Sequence, residues 1–554
     1  MTRLALRLTA ALVAAVFLWI IATLPPGPAA ALGPVADAIR GRTIAGALHV
    51  HSVRSDGAGD REAIASAAAT AGLRFVVITD HGDATRQPDP PAYLHGVLCF
   101  DAVEVSTNGG HVIALDMGAS PYPLGGEAGA VIEDVSRLGG VPIVAHPDSP
   151  KSELAWTDTD SPIAGIEWLN LDSAWRSASK LRLSRLAFDA LIRPGPAVAH
   201  LLDRPVQSLA RWDALATRRR VVGVAGHDAH GGVGRSEEGS LWTLPGASSY
   251  QASFAAFGTR VIVDEPLNGT AASDASAILG ALRGGRVFTA IDGLASPAFV
   301  DFHATLDGTE LRMGEERAFG PGAVLSLGST VPPGGTAVLL RDGVEVSSSA
   351  TGDLQFRPRE AGVYRVELRL AGSRVPWIVT NPIYLRGPAP PADGLVSGGS
   401  RAVPVLEPSE PGVVEKDPGS SATLASIDGS RALSFRLRGG DRVSQYAAMA
   451  VSLPPDVREF DSVAFDARSS APLRISVQLR FESSGGARWR HSVYLSPETR
   501  TITVPVSRLV AADRPGAVPP TRTATSLLFV VDLTNARPGA EGQFEISRLR
   551  LLGR

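Results

Sequence analysis

Nine residues able to hold metal ions run through the chain in the order His49, His51, Asp56, His81, Glu104, His111, His146, Asp228 and His230. Nearly all stand beside glycine or at the end of an apolar, β-rich run, and that placement restricts the fold more than any other feature. Val76-Val77-Ile78-Thr79-Asp80-His81, Val141-Pro142-Ile143-Val144-Ala145-His146 and the run from Val221 to His230 are apolar segments that finish in ligands. Such runs read as buried parallel strands carrying their chemistry at the C-terminal end, as in α/β barrels. In Ala47-Leu48-His49-Val50-His51 the two histidines are two apart, so a strand turns both to one face. Imidazole and carboxylate suit Zn, Mn and Fe, and a single tetrahedral site takes only three or four ligands. Nine imply two or three divalent ions, with a carboxylate such as Glu104 able to bridge two of them. Sites of that kind serve in-line displacement at phosphorus or attack on a carbonyl.

Helices are expected between the strands. Asp60 to Ala71 is Ala-rich with Gly72 fitting its C-cap, Ala128 to Leu138 repeats the design, and Ala277 to Gly285 precedes a closing strand at Arg286 to Ala290. This is βα repetition. A helical insertion is expected at Leu181 to Ile192 and Ala197 to Arg220, broken by Pro194-Gly195-Pro196. Its excess of arginine either caps the site and draws in an anionic substrate or forms a solvated face.

The motifs His49-Val50-His51-Ser52, Ser55-Asp56-Gly57, Thr79-Asp80-His81-Gly82, Val103-Glu104-Val105-Ser106, Ala145-His146-Pro147 and Asp228-Ala229-His230 resemble the PHP (polymerase and histidinol phosphatase) superfamily over about residues 44 to 300. The resemblance implies a distorted (β/α)7 barrel. It also implies that His49 and His51 hold one ion with Asp228, that Glu104 bridges to a second, and that Asp56, His81, His111, His146 and His230 complete the sites. Family members often read Gly-Ser-Asp-Ala-His where this chain has Gly226-His227-Asp228-Ala229-His230, so His227 is an extra acid or an outward-facing neighbour. The short interval from Glu104 to His111 makes His111 the least secure ligand. Asp80 either orients a ligand ring or caps a strand end. Glu167, in Gly165-Ile166-Glu167-Trp168-Leu169-Asn170, resembles a family strand and is expected either behind the ligands with Asn170 or as a plain strand-end carboxylate. Arg235 is a candidate for binding phosphate. His95, His200, His303 and His491 match no motif and are read as structural.

At 554 residues the chain is too long for one core. Its net charge of −3 provides no basic field for nucleic acid, which disfavours a processive nucleic-acid enzyme. Cys99 is the single cysteine, so neither an internal disulfide nor a thiolate metal cluster is available. Arg3 and Arg7 precede an uncharged stretch from Leu8 to Leu24 closed by Pro25-Pro26, a signal peptide or membrane anchor at 1–24. Either one leaves the enzyme outside the cytoplasm. A Pro/Ala-rich tether follows at 25–42, then the catalytic domain at 43–300.

Beyond residue 300 the pattern changes to short alternating strands with Gly/Pro turns. An Ig-like β-sandwich is expected at 301–387, with Asp342-Gly343 as a hairpin turn, and its end resembles the sandwich of secreted PHP hydrolases, including the carbaryl-hydrolase-like branch. A linker is expected at 388–420. Residues 421–554 look like a galactose-binding-type jelly roll, a kind of module that often binds glycans, in which Trp489 and Tyr494 either stack on sugar or belong to the core.

The expected activity is hydrolysis of phosphoesters by metal-bound hydroxide, on a phosphomonoester, a nucleotide or an oligonucleotide 5′ end, with an exonuclease-like 5′-3′ activity within reach. His81 or His227 is the candidate proton donor. One alternative is carboxylic-ester or carbamate hydrolysis on the same metal site. Another is an envelope or glycan-binding protein with a vestigial barrel. The partners expected are a small phosphorylated substrate, a short nucleic acid or glycan, and the membrane through the N-terminal segment, with no obligate protein partner.

Overall fold

A computed structural model describes the chain apart from residues 1–2, 23–38, 236–240, 243–248, 389–400, 406–411, 428, 454–458, 482–487, 512–518 and 554. Most of the expected tether therefore lies outside the described residues. The chain is mixed α/β in its first half and all-β thereafter, as the change of pattern near residue 300 predicts.

The barrel region is built on β1 (Thr43–Val50), β2 (Phe75–Ile78), β3 (Ala92–Leu94), β4 (Val97–Asp101), β5 (Val103–Thr107), β6 (Gly110–Leu115), β7 (Val141–Val144), β8 (Gly165–Asn170) and β9 (Val222–Ala229). The parallel pairs β1–β2, β2–β4, β7–β8, β8–β9 and β9–β1 bring the apolar runs together. A bridge between His81 and Glu104 and the antiparallel pairs β5–β6 and β6–β7 complete a closed barrel. The antiparallel strand explains the short Glu104–His111 interval. Because β6 runs backwards, its first residues lie at the barrel end where the other strands finish, and the turn before it returns His111 beside Glu104.

The helix Arg61–Thr70 starts at Asp60, whose carboxylate accepts from the Ala63 N–H at 2.8 Å. The insertion differs from expectation. Its helices are Leu171–Ser177, Lys180–Asp189, Pro194–Ala199 and Val206–Arg218, so Pro194 opens a helix where a break was expected. Proline suits a first helical position because the N–H it lacks would have no partner there. The last helix, Ala271–Gly284, begins a turn and a half earlier than its apolar pattern suggests and stops at Gly285, whose φ of +72° is the left-handed conformation glycine tolerates.

Strand pairing carries on past the barrel. Gly258–Ile262 pairs with β1, then with Val287–Ala290, which pairs with Ile378–Thr380 of the next module. That module stacks a four-stranded sheet against Thr336–Arg341, Gly362–Arg369 and their neighbours. Asp342 and Gly343 both have positive φ, the geometry of the expected hairpin turn. One hydrophobic core runs from the insertion through the barrel wall into this sandwich. Residue 300 thus divides two patterns without dividing two cores.

The C-terminal part is a β-sandwich of two six-stranded antiparallel sheets around a separate core. Two of its strands, Arg401–Pro404 and Val413–Lys416, come from the stretch expected as linker. Sheet edges supplied the backbone partners that its Pro/Gly-rich composition hid. Trp489 is buried against Phe481, and Tyr494 faces the barrel, covered by the Arg137 guanidinium at 3.6 Å. Neither is free to stack on sugar.

The sandwich is fastened to the barrel by ionic contacts. Arg474, fully buried, holds Asp134 of the helix Ala128–Arg137 at 2.8 Å and Glu133 at 2.6 Å, while His491 meets Glu127 at 2.8 Å. Removing one member of a buried pair strands the other charge, at about 3–5 kcal/mol. Arg474→Ala should destabilise the chain by about that amount in denaturant unfolding, and Arg474→Ala combined with Asp134→Leu should recover part of it.

Candidate metal centre

All nine expected ligands meet at one end of the barrel. The carboxylate of Glu104, buried on β5, is the hub: Oε2 lies 3.0 Å from His49 Nε2, 3.3 Å from His51 Nε2 and 3.3 Å from His81 Nδ1. Its other oxygen is 2.7 Å from His111 Nδ1 and 2.9 Å from His146 Nε2. Asp228 Oδ1 faces His51 Nε2 at 3.2 Å and His49 Nε2 at 3.4 Å. Asp56 reaches His51 at 3.4 Å, His230 at 3.3 Å and His81 at 3.6 Å. Four overlapping sets could each grip a cation: His51, Asp56, His81 and His230; His49, His51 and Glu104; His49, His146 and Asp228; and His81, Glu104 and His111. The side chains of His49 and His51 are fully buried, whereas those of Asp56 and His81 are 30% and 34% exposed, so the cluster opens on one side.

The residues fit divalent cations on two further grounds. Both ring nitrogens of His51 are buried without a hydrogen-bond partner, a costly condition that a cation removes. Three ligands, His49, His146 and Asp228, hold left-handed backbone with φ of +63°, +30° and +47°. Such conformations cost on the order of 1–3 kcal/mol each in a non-glycine residue and persist where the surroundings impose them, often at functional sites. These three residues form one of the four ligand sets.

A second layer holds the ligands in place. Glu167 Oε1 lies 2.7 Å from His49 Nδ1, and Oε2 accepts from the His146 backbone N–H at 2.7 Å and from Asn170 Nδ2 at 2.9 Å. Glu167 thus lies behind His49 and His146, with Asn170 beside it. Asp80 does not orient His81. It accepts from Ser52 N–H and Oγ at 2.7 Å each and from Ser55 Oγ at 2.9 Å, pinning the loop that carries Asp56. Sequence reasoning missed Tyr250, whose hydroxyl donates to His51 O at 2.7 Å and accepts from Gly59 N–H at 3.1 Å, bracing the same loop. It also missed Gly226, where an added Cβ would lie 1.8 Å from Glu167 Oε1. Neither position carries a ligand atom that would have marked it.

His227 requires a correction. Its ring is fully buried, stacked 4.2 Å from Phe257, with Nδ1 3.3 Å from Leu48 O and Nε2 3.0 Å from Phe257 O. It faces away from the ligands because alternate residues of β9 point to opposite sides. Burial pushes its pKa down to about 4, against the pull of those carbonyls, so it is neutral at pH 7 and no proton donor. His81 turns both nitrogens toward carboxylates, which suits a ligand. The Arg235 side chain lies outside the described residues. The insertion's arginines are largely committed within the protein: Arg204 to Glu367, Arg182 to Asp203, Arg176 to Asp172, Arg211 to Trp156 O and Arg219 to Ser161 O.

No family model matches the chain, and no curated protein does. Among solved structures, the family 11 carbohydrate-binding module of the cellulosomal cellulase Lic26A-Cel5E of Clostridium thermocellum is similar at 18% identity and a TM-score of 0.23, over 28% of this chain and 95% of that one. The family 30 module of the cellulosomal cellulase Cel9D-Cel44B of the same organism is similar at 10% identity and a TM-score of 0.22, over 28% of this chain and 98% of that one.

Burial disfavours charge on His51, but the facing carboxylates of Asp228 and Glu104 outweigh it and bring the pKa up to about 9. Burial likewise opposes the Glu104 carboxylate, and the neighbouring histidines outweigh it, holding Glu104 well below the usual range. Without metal, His51 is therefore protonated at neutral pH, and a cation displaces that proton. Affinity for Mn or Zn should rise with pH up to about 9, and calorimetry in buffers of different ionisation enthalpy should register proton release. A raised His51 pKa stabilises the metal-free fold fully below about 6.5 and ceases to do so as pH rises through about 9. Urea midpoints of metal-free protein should fall across that window. Glu167→Gln should weaken metal binding by about 10–100-fold, the usual cost of losing the group behind a ligand.

Proposed function

We propose that the chain is an extracytoplasmic metal-dependent hydrolase of the PHP type that cleaves phosphoester bonds. The observation that carries this reading is the convergence of nine nitrogen- and oxygen-donor residues, Glu104 among them, at one end of a closed barrel. A donor set of imidazoles and carboxylates without thiolate is suited to Mn, Zn or Fe. Divalent ions bound there supply Lewis acidity, a nucleophile drawn from water at neutral pH, and compensation for charge developing on phosphorus.

The chain's own residues position and polarise. Asp56, His81 and His230 form the accessible edge where a phosphoryl group can approach, and Glu104, His49 and His146 close the floor against water. Glu167 and Asp80 keep floor and edge in register from behind, so little rearrangement is needed when substrate arrives. The helix Arg3–Ala22, apolar and long enough to cross a membrane by length and composition, supports the extracytoplasmic address.

Elemental analysis of the purified chain should find two or three Mn, Zn or Fe ions. The same sample should turn over nitrophenyl phosphomonoesters or diesters, and Glu104→Gln should reduce turnover by at least about 100-fold, since even groups behind a ligand cost 10–100-fold. Turnover of nitrophenyl carboxylic esters alone would move the assignment to the carbamate-hydrolase type, and a metal-free chain without turnover would refute it.

A further inference from the structure

We propose that the helical insertion is a membrane-seating surface, its apolar ridge lying in the interfacial layer of the bilayer that takes the N-terminal helix; this rests on the reading of that helix as an anchor. The helix Lys180–Asp189 and the turn after it leave Leu181, Phe188, Leu191 and Ile192 exposed, Leu181 by 80% and Leu191 by 69%. Spacings of seven and three residues place Leu181, Phe188 and Leu191 along one ridge. Contiguous apolar surface of this kind marks a contact with something that covers it.

The neighbouring charges say what that is. Arg185 stands between Leu181 and Phe188 with its side chain 77% exposed, and Lys180 is exposed beside them. The one acidic residue of the helix, Asp189, lies 3.4 Å from Arg185. An apolar ridge flanked by basic side chains is the composition of a helix lying in the plane of an anionic lipid surface, with long cationic side chains reaching the headgroups.

The geometry also ties the ridge to the anchor. The ring of Trp19 meets that of Phe188 edge-on at 5.4 Å, and Arg193 donates to Ile20 O at 3.0 Å. Trp19 and Ile20 are near the end of the N-terminal helix, where the chain leaves the hydrocarbon and where tryptophan commonly sits. Ridge and helix end thus stand at one level. The insertion also forms a wall, through Ser177, Arg182 and Val206, of a cavity of about 340 Å³ that reaches His146 and Glu167, so seat and candidate site share one element.

The test uses the full-length chain reconstituted into vesicles of phosphatidylcholine and phosphatidylglycerol. A polarity-sensitive fluorophore is attached to Leu181→Cys, Leu191→Cys or, as a reference, Val344→Cys, an exposed position on the middle sandwich. Cys99 is buried and burial pushes its thiol up to about 11, so it does not compete for label. Nitroxide-bearing lipids should quench the probes at 181 and 191 several-fold more than the probe at 344. Equal quenching at all three positions, with the N-terminal helix shown intact by terminal sequencing, overturns the seat alone. A blue-shifted emission at 181 and 191 without lipid quenching overturns it in favour of a protein cover. Removal of the helix in cells overturns the anchor reading and the proposal together.

Discussion

The buried carboxylate of Glu104 is the constraint around which the rest of the structure is arranged. A carboxylate taken out of water is costly unless opposite charge and hydrogen bonds replace the lost solvation. Here five imidazoles do so at 2.7–3.3 Å, delivered by strands or strand ends from separate parts of the barrel. Moving any of those strands out of register would leave Glu104 buried with fewer partners. The barrel's closure is thus coupled to the cluster it contains, and the left-handed backbone at His49, His146 and Asp228 is the local distortion that lets three ligands reach one another.

The surrounding modules work toward the same end from outside. Arg365 is buried between Asp213 of the insertion and Glu367 of the middle sandwich, and Arg204 reaches the same Glu367, so insertion and sandwich are locked together behind β8. Arg474 performs the equivalent task between the C-terminal sandwich and the helix Ala128–Arg137. Arg537 meets Thr85 just after the His81 motif, so the far end of the chain touches the loop at the site's edge. Of the insertion's arginines, which suggest an anion trap when read as composition, Arg204 serves such a join, and Arg176, Arg182, Arg211 and Arg219 bind other groups of the protein. Charge count does not reveal where a guanidinium points.

Much of the site was legible because each ligand type has few uses on an apolar strand end. His49, His51, His81, His146, Asp228 and His230 were marked by position as well as by chemistry, and Glu167 and Asn170 by their strand motif. Of the two readings of His227, the outward-facing neighbour stands and the proton donor does not; a side chain on a strand takes one face or the other, and its face is the one packed on Phe257. Tyr250 and Gly226 were invisible because their contributions, a brace on a loop and an absent Cβ, depend on what approaches them in space.

The sequence by itself determined the change from βα to all-β pattern, the apolar strands and the inventory of donors, since these follow from local periodicity and side-chain chemistry. Only the tertiary structure decided that β6 runs antiparallel, that the strand pairing of the barrel continues into the middle sandwich, and that Arg401–Pro404 and Val413–Lys416 are strands and not linker. Strand direction and edge pairing are settled by which backbone groups are left without partners once the core has formed. That information resides in the assembled sheets and not in any window of the chain.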